Sequence, residues 1–169
     1  MSKPRLTIRS WSHRWSHRWA RDTAALVIAF ASLSACSNSG TGGALSPAPS
    51  ATSPNCRRAL DAAPLAVLDQ PRGNTSAPGT LVWGTRQIVV RCGLAEPAPT
   101  TDWCQNVDGI DWVVQGQART DPIVFISYGR SPALEVRVPA SYGSQNASGA
   151  LVDVQAMAKA LPTNGHNCS

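Results

Sequence analysis

Four cysteines, Cys56, Cys92, Cys104 and Cys168, are spread through the second part of this 169-residue chain, and they constrain its fold more than any periodicity does. Paired, they would tie distant stretches of chain into one unit, but whether they pair depends on the compartment they meet. The N-terminal sequence bears on that question. Residues 1–23 are basic and aromatic, and residues 24–33 (AALVIAFASL) form an uninterrupted small and apolar run. Ten such residues are too few for a membrane-crossing helix, which needs about 20. They fit the h-region of a secretory signal.

The apolar run ends in Leu33-Ser34-Ala35-Cys36. This resembles the lipobox of bacterial lipoprotein signal peptides, in which an apolar residue and two small residues precede the cysteine that receives the lipid. The resemblance implies a diacylglyceryl (palmitate-type) thioether on Cys36 and removal of residues 1–35. It also implies a mature chain anchored to the extracytoplasmic face of the cell membrane. The alternative is a plain secretory peptide cut nearby, with Cys36 a spare thiol. Two acyl chains suffice for stable anchoring where one is marginal.

The charge distribution agrees with a discarded leader. The formal net charge of +5 suggests a nucleic-acid or anionic-membrane partner at first sight. Six of the fifteen basic residues and one of the ten acidic ones precede Cys36, so the leader holds the whole excess. The nine of each that remain cancel, and nucleic acid drops out as a partner. The leader also holds a tandem Trp-Ser-His-Arg, at 11–14 and 15–18. It leaves with the signal and carries no mature function.

Residues 36–54 are uncharged and consist largely of Ser, Gly, Thr, Pro and Ala, the composition of a flexible tether. The folded domain is then expected over 55–169. In an oxidising compartment its four cysteines form two disulfides, for which three connectivities exist. The expected pairs are Cys92 with Cys104, closing a short loop between strands, and Cys56 with Cys168, tying chain ends that usually lie close together. Zinc is the weaker alternative, because no C-x-x-C pair is present and His166 is the only histidine after the leader.

Local patterns predict a short helix from Arg57 that Pro64 ends. A β-branched strand follows over 81–92, with Gly84 marking a bend or bulge. Further strands are expected at 110–115, 123–128 and 134–138. Asp108-Gly109 reads as a turn, and Gly129-Arg130-Ser131-Pro132 as a hairpin connection. Leu134, Val136 and Val138 should face the core, with Glu135 and Arg137 in water. Ser148 is placed to cap a helix running to Leu161, with Asp153 in its first turn and Lys159 in its last. The fold class is therefore α+β: a small antiparallel sheet of about four strands with two flanking helices, disulfide-braced.

Three motifs in order carry a family resemblance. They are Trp83-Gly84 with Ile88 and Arg91-Cys92-Gly93; Val107-Asp108-Gly109-Ile110-Asp111-Trp112; and Tyr128-Gly129-Arg130-Ser131-Pro132 followed by Leu134-Glu135-Val136 and Pro139. Together they resemble the actinobacterial domain-of-unknown-function family 3515, over about residues 56–168. The resemblance implies an exported or membrane-anchored protein, with no activity attached. This chain departs from the pattern at Arg86, where a proline is expected, and at Asp108, where an asparagine is expected.

Few residues offer chemistry. A Ser-His or Cys-His site would need His166, which sits two residues from Cys168 near the end of the chain. Asp102, Asp108 and Asp111 could act as acid and base or bind calcium. An EF-hand fails, because Cys104 and Gln115 would occupy its first and last positions. No phosphate loop or HExxH is present. Trp83, Trp103 and Trp112 could form a platform for sugar or peptide, with Arg86, Arg91 and Arg130 binding anionic groups. The competing reading makes the tryptophans core and the arginines structural. Arg130, in a loop, is the better ligand candidate. No cofactor or metal is expected. The function expected is a noncatalytic cell-envelope lipoprotein, an adaptor or binding domain for an envelope protein partner or a cell-wall ligand. The alternative is a cell-wall-active hydrolase or transferase using the carboxylates at Asp102, Asp108 and Asp111.

Overall fold

The structure is a computed structural model that describes residues 46–85, 87–115 and 122–168. The leader, Cys36, the tandem repeat and Arg86 lie outside the described residues.

The element order is α1 (Pro54–Asp61), β1 (Ala66–Val67), β2 (Gln70–Pro71), β3 (Thr80–Trp83), β4 (Ile88–Leu94), β5 (Cys104–Val107), β6 (Ile110–Gln115), β7 (Ile123–Tyr128), β8 (Ala133–Val138), a 3-10 turn (Ala140–Tyr142), α2 (Ser144–Asp153) and α3 (Gln155–Lys159). β1 and β2 form a minimal hairpin, and the other strands form one six-stranded sheet in the order β3-β4-β8-β7-β6-β5. Every neighbouring pair is antiparallel. The sheet is thus a β3–β4 hairpin joined edge to edge with a β5–β8 meander.

Period-two alternation decides the faces. Ile88, Val90 and Cys92 of β4 belong to one buried cluster with Ile110, Trp112 and Val114 of β6, Ile123 and Phe125 of β7, and Leu134, Val136 and Val138 of β8. The same cluster takes Ala59 of α1, Ala147, Ala150 and Leu151 of α2, and Met157 and Ala158 of α3. The helices therefore cover one face, as expected of this class. The intervening residues project from the second face, yet Val89, Val113, Ile126 and Glu135 there are buried as well.

Part of that second cover comes from the segment assigned by composition to the tether. Ala48 and Ala51 are buried, the Ser50 N–H donates to the Gly93 carbonyl at 2.9 Å, and Arg91 Nη1 donates to the Ser46 carbonyl at 2.9 Å. Gly93, at φ +110°, makes this docking feasible, since a Cβ there would collide with the Ser50–Ala51 backbone. The ordered domain thus begins by Ser46, nine residues before the expected start.

Other expectations are corrected by the same geometry. The stretch over 81–92 is two strands, because Gly84 opens a full turn that folds β4 back on β3 with Trp83 opposite Ile88. β5 was not expected. It pairs with β6 through a two-residue turn in which Asp108 (φ 50°) and Gly109 (φ 78°) are both left-handed, the type I′ geometry that suits a hairpin. The C-terminal helix begins at Ser144 with Gly143 at its N-cap, and it breaks at Val154. Ser148 therefore lies inside α2, its hydroxyl donating back to the Ser144 carbonyl. Asp153 ends α2, where it accepts the Leu68 N–H at 2.8 Å. Glu135 faces Arg91 in the fold instead of water.

The disulfides are Cys56–Cys92 and Cys104–Cys168, with Cα separations of 5.5 and 6.2 Å, and not the expected pairs. Strand order gives the reason. β8, β7 and β6 separate Cys92 on β4 from Cys104 on β5. Four strand spacings amount to about 19 Å. A disulfide spans at most about 7 Å between Cα atoms. Cys92 points to the helix face instead and meets Cys56 of α1. Cys104, on the far edge, ties down the C-terminal segment.

Candidate functional site

Trp83 and Trp112, proposed ligand residues on sequence grounds, are both fully buried beneath the helices. Trp83 Nε1 donates to the Pro64 carbonyl at 3.3 Å, and the Trp112 indole N–H has no partner among the described residues. They are core.

Arg91 is structural as well. Its Nε and Nη2 donate to the two carboxylate oxygens of Glu135 at 2.8 and 2.9 Å, a bidentate fork across the β4–β8 register. The hydrogen bonds to Glu135 hold the guanidinium pKa above its ordinary value, outweighing the opposite effect of burial. Arg130 donates from Nη1 to the Leu161 carbonyl at 3.0 Å and bridges to Thr163. That contact fixes the C-terminal segment after α3. Arg130 also lines a small cavity of about 110 Å³ with Asp111, Tyr128 and His166.

The three aspartates do not act as a set. Asp108 occupies the exposed β5–β6 turn. Asp111 accepts from Asn106 Nδ2 at 2.7 Å on one oxygen and from the Cys168 N–H at 2.8 Å on the other. Asp102 lies in the β4–β5 connection, and its carboxylate has no partner among the described residues.

Two features escaped the sequence reading. The first is Glu96, also in the β4–β5 connection. Its carboxylate accepts the Gly129 N–H at 2.7 Å and the Asn164 amide, and it lies 3.2 Å from His166 Nδ1. Gly129 permits this closure, because at φ +70° a Cβ there would strike the His166 carbonyl. The C-terminus is thus held in place at several points. A carboxylate facing Nδ1 is how a general-base histidine is oriented. Among the described residues, however, no hydroxyl or thiol is hydrogen-bonded to His166, so the pair activates no nucleophile there.

The second is an open groove of about 460 Å³ on the face away from the helices. It is lined by Val113 and Tyr128 of the sheet, by Pro99, Thr100, Thr101, Asp102 and Trp103 of the β4–β5 connection, and by Asn167 and the Cys104–Cys168 disulfide. Trp103 is 61% exposed, against zero for Trp83 and Trp112. A signal for it existed in the sequence: Trp103 lies in a Pro- and Thr-containing stretch, whereas Trp83 follows Leu81-Val82 and Trp112 precedes Val113-Val114.

The motifs behind the family resemblance now have physical roles. Trp83 fills the core, Gly84 and Asp108-Gly109 turn the chain, Arg91 pairs with Glu135, Cys92 is bridged, Gly93 admits the 46–53 segment and Gly129 admits the C-terminus. The motifs build the scaffold, and the groove wall from Pro99 to Trp103 lies outside them. The family model described as "Protein of unknown function (DUF3515)" matches residues 22–165, most of the chain. No curated protein and no solved structure matches it.

Proposed function

We propose that this chain, which belongs to the DUF3515 family, is an extracytoplasmic lipoprotein held to the membrane through Cys36, with a noncatalytic domain that binds an envelope component. One observation carries the reading furthest. The chain has five cysteines, and the four in the domain pair with one another. Cys36, at the end of the lipobox-like tetrapeptide, therefore has no disulfide partner within the chain and is available for lipid. An unpaired cysteine in an otherwise oxidised exported protein calls for a separate chemical role.

The early start of the domain sharpens the geometry. Only residues 37–45 separate Cys36 from Ser46, which Arg91 holds. Whatever their conformation, that length spans no more than about 35 Å. The domain would work within about one domain diameter of the bilayer surface. Among the described residues no helix is long and apolar enough to cross a membrane. The scattered aspartates support binding over the hydrolase or transferase alternative, which needs two carboxylates facing one cleft.

The test is affinity co-purification of the full-length protein from detergent-solubilised envelopes beside Cys36→Ala, with mass spectrometry of bait and companions. Enrichment of a companion only when Cys36 is intact supports an anchored binder. An unmodified bait in the soluble fraction contradicts the anchor.

A further inference from the structure

We propose that the groove beside Trp103 binds a neutral pyranose unit of a glycan, an inference that rests on reading the domain as a binding module.

The lining selects the ligand class. An indole left 61% exposed on a soluble surface forfeits the burial that its size would otherwise bring. The Trp103 backbone is nonetheless fixed. Its carbonyl accepts the Val114 N–H at 2.8 Å, extending the β5–β6 ladder by one residue, and the next residue is disulfide-bonded Cys104. The indole is therefore presented from a rigid backbone at the rim of a groove. A flat apolar ring so presented matches the C–H face of a sugar, which has no charge and little hydrophobic area elsewhere.

The polar groups nearby match the sugar's edge. Thr100, Thr101, Tyr128 and Asn167 line the groove with hydroxyls and an amide, groups that can both donate and accept. The carboxylate of Asp102 and the indole N–H of Trp103 have no partners among the described residues. A carboxylate takes a pair of adjacent hydroxyls through its two oxygens. Among the described residues, Asp102 is also the only charged side chain in the lining. A lining that carries one negative charge and no lysine or arginine among the described residues disfavours phosphates, uronates and carboxylate-ended peptides, so the ligand is neutral. Its volume of about 460 Å³ falls within the ordinary range for small-ligand sites, about 300–1,000 Å³. The C-terminal part of the lining is pinned by the Cys104–Cys168 bridge and by Asp111 at the Cys168 N–H, with Glu96 holding Gly129 and Asn164 nearby, so that part is preorganised.

The test is a titration of the full-length protein in detergent micelles with chitotetraose, maltotetraose and mannotetraose, each up to about 10 mM. The Trp103 indole N–H resonance is followed, with inorganic phosphate as the anionic control. Saturable movement of that signal with at least one tetrasaccharide and none with phosphate is expected. Trp103→Ala should weaken binding at least about tenfold, as for an aromatic hot spot, while Trp103→Phe retains part of it. Asp102→Asn should weaken it less, and thermal melts of the variants should match the parent. Silence with all three sugars, binding undiminished by Trp103→Ala, or a response to phosphate would overturn the proposal. Lipid on Cys36 is read separately by mass, so a lipidated protein with a silent groove would sink this inference alone.

Discussion

Glu135 sits in the middle of the sheet with its side chain only 6% exposed, and nearly all its compensation comes from one partner. Arg91 forks onto both carboxylate oxygens at 2.8 and 2.9 Å, while Arg137 approaches no closer than 3.9 Å. Removing one member of a buried ion pair costs about 3–5 kcal/mol, because the other charge is stranded. In Glu135→Ala the stranded guanidinium is 18% exposed and keeps its bond to the Ser46 carbonyl, so the lower end applies, about 3 kcal/mol. At about 4 °C per kcal/mol for a domain of this size, the melting temperature should fall by about 12 °C. Replacing both partners by apolar residues of similar length, Arg91→Met with Glu135→Leu, should bring stability back to within about 1 kcal/mol of the parent. Urea and thermal unfolding followed by circular dichroism measure both of these and the single variants Arg91→Met and Glu135→Leu. A cost below about 1 kcal/mol for Glu135→Ala, or a double variant as unstable as the two single losses added, would mean that Arg91 and Glu135 do not stabilise each other. The pH dependence has a definite sign. Because the Arg91 pKa is raised, its contribution is fully present below the ordinary arginine pKa and is lost only as pH climbs beyond the folded value. Alkaline titration from pH 7 to about 10 should therefore leave this pair's coupling unchanged.

The remaining predictions concern the staples, the core and the docked segment. Non-reducing peptide maps should link Cys56 to Cys92 and Cys104 to Cys168; in the chain-entropy model each contributes about 4 kcal/mol for its loop, and a Cys92–Cys104 peptide would contradict the strand order. Trp83→Ala should lower stability by about 3–5 kcal/mol, while Trp103→Ala should stay within about 0.5 kcal/mol, as chemical denaturation would show. Gly93→Ala should release the segment over 46–53, seen as faster proteolysis there with β-sheet circular dichroism retained; unchanged protection would mean the close approach is not needed.

The fold class was legible because apolar and polar residues alternate regularly in the strand sequences. Leu134, Val136 and Val138 alternate with Glu135 and Arg137, and the Asp108-Gly109 turn is set by two left-handed residues that its sequence favours. Glu135 misled because alternation places a side chain on a face without saying what covers that face. The covering segment has a tether's composition and is held by a backbone hydrogen bond to Gly93 and by the Arg91 side chain. β5 was missed because Cys104-Gln105-Asn106-Val107 carries little β-branched content, and its pairing partner supplies the order. The disulfides were misassigned because connectivity depends on spatial strand order. The meander inserts β8, β7 and β6 between cysteines only twelve positions apart in sequence. At the groove, Trp103 and Asp102 were visible as residue types, but exposure separates Trp103 from Trp83 and Trp112, and exposure is a tertiary property. Glu96 and His166, seventy positions apart, meet only because the β4–β5 connection passes the β7–β8 turn.

The anchor is tested most directly by the intact mass of the exported protein, recovered from the membrane fraction and compared with Cys36→Ala. The expected chain begins at Cys36, carries the added mass of a diacylglyceryl group there, retains two intact disulfides, and leaves the membrane when Cys36 is replaced. A soluble chain with an unmodified Cys36, or a lipid-free protein that stays with the membrane in Cys36→Ala, would contradict it.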